Sequence, residues 1–162
     1  MNFIKAISFC SYITDGTHDS PSYHGKGYKL VTSKFIKNNK IDFLEAPCIS
    51  LIDFDKINLR SKVEPNDILF SMIGTVGEVA IVTDNEFAIK NMGLFRCKNK
   101  KEALYLFYYL QSEQAKRYIG ESKAGSTQQY LTLNSLKSFP IPILTDDVKQ
   151  HIVDSMENTY AN

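Results

Sequence analysis

An α+β fold is what this chain of 162 residues predicts: a mixed, twisted, barrel-like β core with peripheral helices, followed by one C-terminal helix. Three observations lead there. Two strand-length apolar runs, Ile68–Ile73 and Val79–Val82, flank Gly74-Thr75-Val76-Gly77, and the bracketing glycines supply the positive φ that a tight turn needs. The apolar stretches before residue 100 are short and punctuated by turn residues, whereas from Lys100 onward they recur at three- and four-residue steps, the period of a helix. The last residues, from Thr145, read as one capped helix.

Taken in order, residues 3–13 alternate loosely and predict a first strand, with Ile4, Ile7, Phe9 and Tyr12 as candidates for burial. Asp15-Gly-Thr-His-Asp-Ser-Pro21 contains two turn dipeptides and predicts an ordered loop. Asp15 and His18 could be paired as a catalytic acid and base. The preferred reading is an Asx-type turn bonding its own backbone, since residues so close in sequence rarely face each other that way. Residues 20–41 hold no acid but carry Lys26, Lys29, Lys34, Lys37 and Lys40, interleaved with Tyr23, His24, Tyr28 and Phe35. Such lysines contact phosphates or simply solvate a strand and loop. Gly25-Lys26-Gly27 reads as a mobile tip, Leu30-Val31 as a strand and Asn38-Asn39 as a turn. Residues 41–65 predict irregular structure with a short helix near 51–58, bounded by Pro47 and Pro65. Glu64-Pro65-Asn66-Asp67 then launches the hairpin, with Asp67 placed to bond nearby backbone. The hairpin runs are nearly continuous, so both faces should be covered, at the middle of the core. Asp84-Asn85 reads as a turn, and Phe87–Ile89 and Met92–Cys97 as further strands, six or seven in all.

Ala103, Leu104, Phe107, Tyr108 and Leu110 give a helix over about 101–112 with one apolar face. A second turn or helix holding Tyr118 follows to about 120, with Gly120 as its stop. These aromatics read as core rather than as a platform for stacking bases. Lys123–Tyr130 is a polar loop; Thr132 or Asn134 caps a short helix over 133–138; Phe139-Pro-Ile-Pro-Ile143 must be extended. Thr145 caps the last helix, with Asp146 and Asp147 in its first turn, where negative charge is favoured. Val148, Ile152 and Met156 form a seam that packs on its own domain or pairs with another helix.

The bulk composition narrows the function. A net charge of +1 gives no strong overall field, so a nucleic-acid role needs a local basic patch. Cys10, Cys48 and Cys97 are odd in number and lack any CxxC, and His18, His24 and His151 lack metal-ligand spacing. The expectation is a reduced, cytoplasmic protein without disulfides or zinc. The first residues make a poor signal peptide and are too short to span a membrane. A Gly-rich phosphate loop and an Asp/Asn-Pro-Pro-aromatic amino-methylation motif are both absent. Glu121-Ser122-Lys123 has the Glu-x-Lys spacing of metal-dependent nucleases but lacks a preceding strand with a well-placed aspartate.

Three stretches agree on a family: DGTHDSP at 15–21, NDILFSMIGTVGEVAIV at 66–82 and AGSTQQYLTLNSLKSFPIPILTDDVKQHIV at 124–153. In this order they resemble the target recognition domain of type I restriction–modification specificity subunits. Asn66 stands where that family has glycine, and Gln150-His-Ile152 is a shortened form of its Gln-x-x-Ile. The resemblance implies a target recognition domain over 1–144 and the start of a spacer and dimerisation helix over 145–162. A whole subunit of the family has two such domains, and each reads one half-site of a bipartite DNA target. Partners are then double-stranded DNA, a methyltransferase subunit and a restriction/translocase subunit, with a homodimer through the C-terminal helix for a half-subunit and no membrane. No cofactor is expected in this chain; S-adenosylmethionine and ATP with magnesium belong to the partner subunits. The reading implied is non-catalytic. Gln128 and Gln129 are candidates for adenine, with Ser126 and Thr127 beside them. Lys26, Lys34, Lys37 and Lys123 are candidates for phosphate or guanine. Asp15, Gly16, Thr17, His18, Gly74 and Gly77 read as scaffold. Because members with different targets share Gly-Ser-x-Gln, that motif also reads as structural or backbone-binding, which leaves the code to loops 22–40 and 45–62. The alternatives are a protein-interaction module or decoy fragment without DNA binding, and a metal-dependent nuclease.

Overall fold

A computed structural model describes residues 1–83 and 86–161; the expected Asp84-Asn85 turn lies outside them. The chain opens with β1 (Phe3–Lys5), one helical turn α1 (Ala6–Phe9) and β2 (Tyr12–Asp15). The single strand expected over 3–13 is therefore broken. The break follows from pairing: the Ala6 amide donates to the Phe139 carbonyl and the Cys10 amide to that of Ala6, so the chain bends away from β1 before it pairs again. The turn also resets which residues face inward. Ala6, Cys10 and Ile13 are buried, whereas Ile7 and Tyr12 are exposed.

Next come β3 (Tyr28–Val31), a 3-10 turn at Ser33–Phe35, and a small hairpin of β4 (Ile36–Lys37) and β5 (Lys40–Ile41). Asn38 and Asn39 form its tip with φ of 52° and 62°, the left-handed region that asparagine tolerates best after glycine. β6 (Cys48–Ile49) leads into α2 (Leu51–Ser61), which is capped by the Ser50 hydroxyl accepting from the Asp53 amide and runs a turn longer than expected. β7 (Ile68–Ser71), β8 (Val79–Ile81), β9 (Phe87–Ile89) and β10 (Met92–Arg96) complete the β region. Among the described residues ten strands precede Lys100, more than the six or seven expected, because β1, β4, β5 and β6 are only two or three residues long.

The expected hairpin is present: β7 pairs with β8 with Ile68 opposite Ile81, and every β7 residue is buried. β10 lies between β7 and β2, giving the order β2-β10-β7-β8; β3 lies between β6 and the parallel β9 in a second sheet. Neither sheet closes into a barrel among the described residues. Side chains alternate across the first sheet. Ile68, Phe70 and Phe95 point into one core cluster with Tyr105, Leu106 and Phe139, while Leu69, Met92 and Leu94 join Val31, Phe87 and Ile89 on the other side. Both faces are thus covered, as the continuous apolar runs require.

Asp67 anchors the start of the hairpin. Its side chain is 1% exposed, accepts from the Glu64 amide at 2.8 Å and takes both Nε (2.9 Å) and Nη2 (2.8 Å) of Arg96. The hydrogen bond to Asp67 holds the Arg96 guanidinium above its ordinary pKa against the opposing pull of burial. Asn66, which stands in place of glycine, has φ of 71°, a conformation glycine adopts freely and asparagine at modest cost.

The helical region follows as α3 (Lys100–Tyr109), α4 (Glu113–Ser122), α5 (Leu133–Lys137), the extended β11 (Pro140–Pro142) paired with β1, and α6 (Asp146–Ala161). Gly120 lies inside α4 rather than ending it. The aromatics are core: the Tyr105 and Tyr109 hydroxyls donate to the Pro142 and Pro140 carbonyls, and that of Tyr118 to Ser135. Thr132 caps α5, and the Thr145 hydroxyl accepts from the Val148 amide at 3.3 Å. The inward seam of α6, packed beside α3, is buried Lys149 and Val153 with half-buried Ile152 and Met156, while Val148 is exposed. Lys149 faces inward because its ammonium lies 2.7 Å from the Glu102 carboxylate. Burial pulls its pKa down, but Glu102 and Asp146 outweigh that and raise it.

Candidate nucleic-acid interface

Residues 124–130 fold into a closed polar loop. The Ala124 amide donates to the Tyr130 carbonyl at 2.9 Å, and the Tyr130 amide donates back at 3.0 Å. Gly125 has φ of 90°, and a β-carbon there would collide with the Gln128 carbonyl oxygen. Glycine is needed here on both counts. The loop is docked on the hairpin turn by the Gly74 amide donating to the Gln129 carbonyl (2.9 Å) and the Leu131 amide donating to that of Met72 (2.8 Å). Gly74 and Gly77 have φ of 78° and 97°, and the Gly77 amide closes the turn on the Ser71 carbonyl at 3.0 Å.

A third loop meets this pair. The Ser33 hydroxyl donates to the Ile73 carbonyl at 3.4 Å, and the Asn39 amide group donates to the Val79 carbonyl at 3.0 Å. The 33–40 segment, the 73–77 turn and the 123–130 loop are therefore neighbours. Lys34, Lys37, Lys40, Lys123, Ser126, Thr127, Gln128 and Gln129 are all exposed. Lys37 is partly neutralised by Asp42 at 3.3 Å. Lys26 is not brought in: it precedes β3, beside β6, at the opposite end of that strand from Ser33 and Lys34. Lys29 is turned inward onto the Ala46 carbonyl.

Asp15, Gly16, Thr17 and His18 lie elsewhere, between β9 and α2. His18 Nε2 is 2.9 Å from Asp15 Oδ2, and its Nδ1 is 2.8 Å from Asn91 Oδ1. The loop does bond its own backbone, the Thr17 hydroxyl accepting from the Asp19 amide at 3.1 Å, but Asp15 and His18 also face each other, contrary to expectation, because Asn91 and Arg60 approach from distant parts of the chain. Arg60 donates to the Gly16 carbonyl at 2.8 Å and sits 3.4 Å from Asp15. Gly16 packs so tightly that a β-carbon would collide with the Ile89 carbonyl. Neither Arg60 nor Asn91 was singled out by sequence; the positive φ of Asn91, 54°, is a backbone feature with no local sequence signal. Glu121 and Lys123 flank the end of α4. No cluster of three or more His, Cys, Asp or Glu placed to hold a metal occurs among the described residues. Cys10 and Cys97 are not far apart in space. Contact with Cys10, together with burial, raises the Cys97 thiol pKa.

The family profile described as type I restriction modification DNA specificity domain matches residues 22–162. The chain belongs to that family. A curated relative, the type I restriction enzyme EcoBI specificity subunit of Escherichia coli, is 24% identical over 138 residues, which cover 83% of this chain and 29% of that subunit. The HsdS subunit from Thermoanaerobacter tengcongensis has a similar fold (TM-score 0.70, 15% identity, 97% of this chain and 36% of that one). So does the type I restriction–modification S subunit from M. genitalium (TM-score 0.64, 16% identity, 96% and 38%). The specificity domain thus spans well under half the length of each relative. Its α+β architecture is that of the HsdS subunits. No helix among the described residues is long and apolar enough to cross a membrane.

Proposed function

We propose that this specificity domain reads one half-site of a bipartite duplex DNA target within a type I restriction–modification assembly, and does so without chemistry of its own. The observation that carries the reading is the joining of three loops by hydrogen bonds: the backbone bond from Gly74 to Gln129, and the side-chain bonds from Ser33 to Ile73 and from Asn39 to Val79. Amide side chains and lysine ammonium groups then sit on one rigid support. Gln128 and Gln129 offer the donor–acceptor pair that matches the major-groove edge of adenine, with Ser126 and Thr127 beside them. Lys34, Lys37 and Lys123 hold the register through phosphates, which carry no sequence information themselves. Asp15, Gly16, Thr17, His18, Gly74 and Gly77 shape the scaffold. Residues 1–144 form the reading unit. α6 is engaged on its own domain as far as Met156, which leaves its other face and its end to pair with a second helix, from another copy or from a longer subunit.

Methylation and cleavage belong to separate methyltransferase and restriction/translocase chains, which bring S-adenosylmethionine and ATP with magnesium. The test is co-purification with the cognate methyltransferase subunit, followed by sequencing of methylated bases in cells expressing both. Methylation confined to sites sharing one short half-site, and redirected by exchanging Gln128 and Gln129, is the expected result. Failure to co-purify, or methylation indifferent to that exchange, would refute the proposal.

A further inference from the structure

Tyr130 ends the 123–130 loop where it meets the hairpin, and the residue is 40% exposed. In this it differs from Tyr105, Tyr109 and Tyr118, whose hydroxyls are tied to main-chain carbonyls under the helices. Sequence reasoning singled out the hydroxyls and amides before it but not the ring itself. Its backbone is fixed from two sides. Both its amide and its carbonyl are bonded to Ala124, and it forms a further bridge with Ile73 on the hairpin. Its ring lies over Gly125: a β-carbon on that glycine would stand 3.2 Å from two ring atoms. The ring is thus held by close packing, with the side chains of Ser126 to Gln129 exposed around it.

A rigid apolar surface flanked by amides suits one feature of the major groove. Adenine offers hydrogen-bonding groups to glutamine, and the thymine paired with it presents a C5-methyl group, the groove's apolar mark. An aromatic side chain loses little conformational freedom on contact because it rotates about only two bonds. We infer that Tyr130 is a specificity-determining residue whose ring packs against the C5-methyl of a thymine in the half-site, next to the base pair addressed by Gln128 or Gln129. The inference rests on the DNA-reading proposal above and adds to it the identity of one base contact.

The test uses the full chain in its assembly with the methyltransferase subunit. A duplex library with a randomised segment yields the bound half-site, which is resynthesised with deoxyuridine at each thymine in turn. This change removes one methyl group and leaves base pairing intact. Wild-type protein should lose about fourfold in affinity at one thymine, the worth of one buried methyl. Tyr130→Ala should bind the original site more weakly and be indifferent to that replacement, while Tyr130→Phe keeps the wild-type pattern. Should Tyr130→Ala not fold, native protein with 5-bromodeoxyuridine at the same positions supplies the reading, since irradiation should cross-link Tyr130 to one of them. A selected site without thymine overturns the inference and leaves DNA reading intact. So does equal sensitivity of wild type and Tyr130→Ala at every thymine, or cross-linking only to other residues. Failure to select any motif defeats both.

Discussion

Asp67 shows how much one side chain can hold. It is buried, fixes the turn before the hairpin and neutralises Arg96 from the neighbouring strand. Asp67→Ala leaves a partly buried guanidinium with only the more distant Glu64 carboxylate, at 3.6 Å, as counter-charge, a change that costs roughly 3 kcal/mol; the unfolding free energy measured in urea should fall by that amount. Gly125 is constrained by backbone alone. Gly125→Ala forces a left-handed φ and a collision with the Gln128 carbonyl, a strain of about 1–3 kcal/mol. Because the collision is confined to a surface loop, duplex binding should fall more than thermal stability, and the comparison of the two measurements checks this. His18 marks where local sequence reasoning misled. The Asp-Gly-Thr-His stretch looks self-sufficient, yet its partners Asn91 and Arg60 come from β9–β10 and α2, and no pattern within seven residues could announce them.

The elements divide by how local their causes are. The β7–β8 hairpin was legible because its two apolar runs and paired glycines lie within one short stretch. The caps of α5 and α6 were legible because Thr132 and Thr145 act within three residues. The break at α1 was not, since β1 ends where it does by pairing with β11, 135 residues further on (Lys5 with Pro140). The expected seam of α6 holds at Ile152 and Met156 and fails only at Val148, which is exposed, for a related reason. A four-residue spacing through Val148 fits a helix wheel, but the ion pair between Lys149 and Glu102 turns the wheel toward Lys149. Lys149→Ala should leave Glu102 partly buried and unpaired, lower stability by about 2 kcal/mol, and speed amide exchange over 149–156. The packing of α3 on β11 has a pH signature. Burial raises the Tyr109 hydroxyl to about 12 and pushes Tyr105 up as well. The folded values exceed those of the unfolded chain, so this stabilisation is complete below about pH 10 and is lost as pH climbs through 12. Unfolding followed across that range should show the loss, and Tyr109→Phe should flatten it while costing about 1 kcal/mol at neutral pH for the bond to Pro140.

For the molecule as a whole, the near-neutral charge matters less than its placement. Of the lysines between residues 20 and 41, the fold brings the segment bearing Lys34, Lys37 and Lys40 onto the hairpin on which the 123–130 loop also docks, and leaves Lys26 at the far end of β3. The sequence showed the excess of lysine but not which of them converge, because convergence depends on Ser33 and Asn39 reaching the distant hairpin. Removing Lys34 or Lys123 should lower the salt dependence of duplex binding by about one unit of slope each, while Lys26→Ala leaves it unchanged. The most direct measurement of the reading surface is amide hydrogen exchange of the assembly with and without its selected duplex. Protection should gather in 33–40, 73–77 and 123–130 and be absent from 15–21. Protection at 15–21 and along α2 instead, with those three loops exchanging as before, would contradict it.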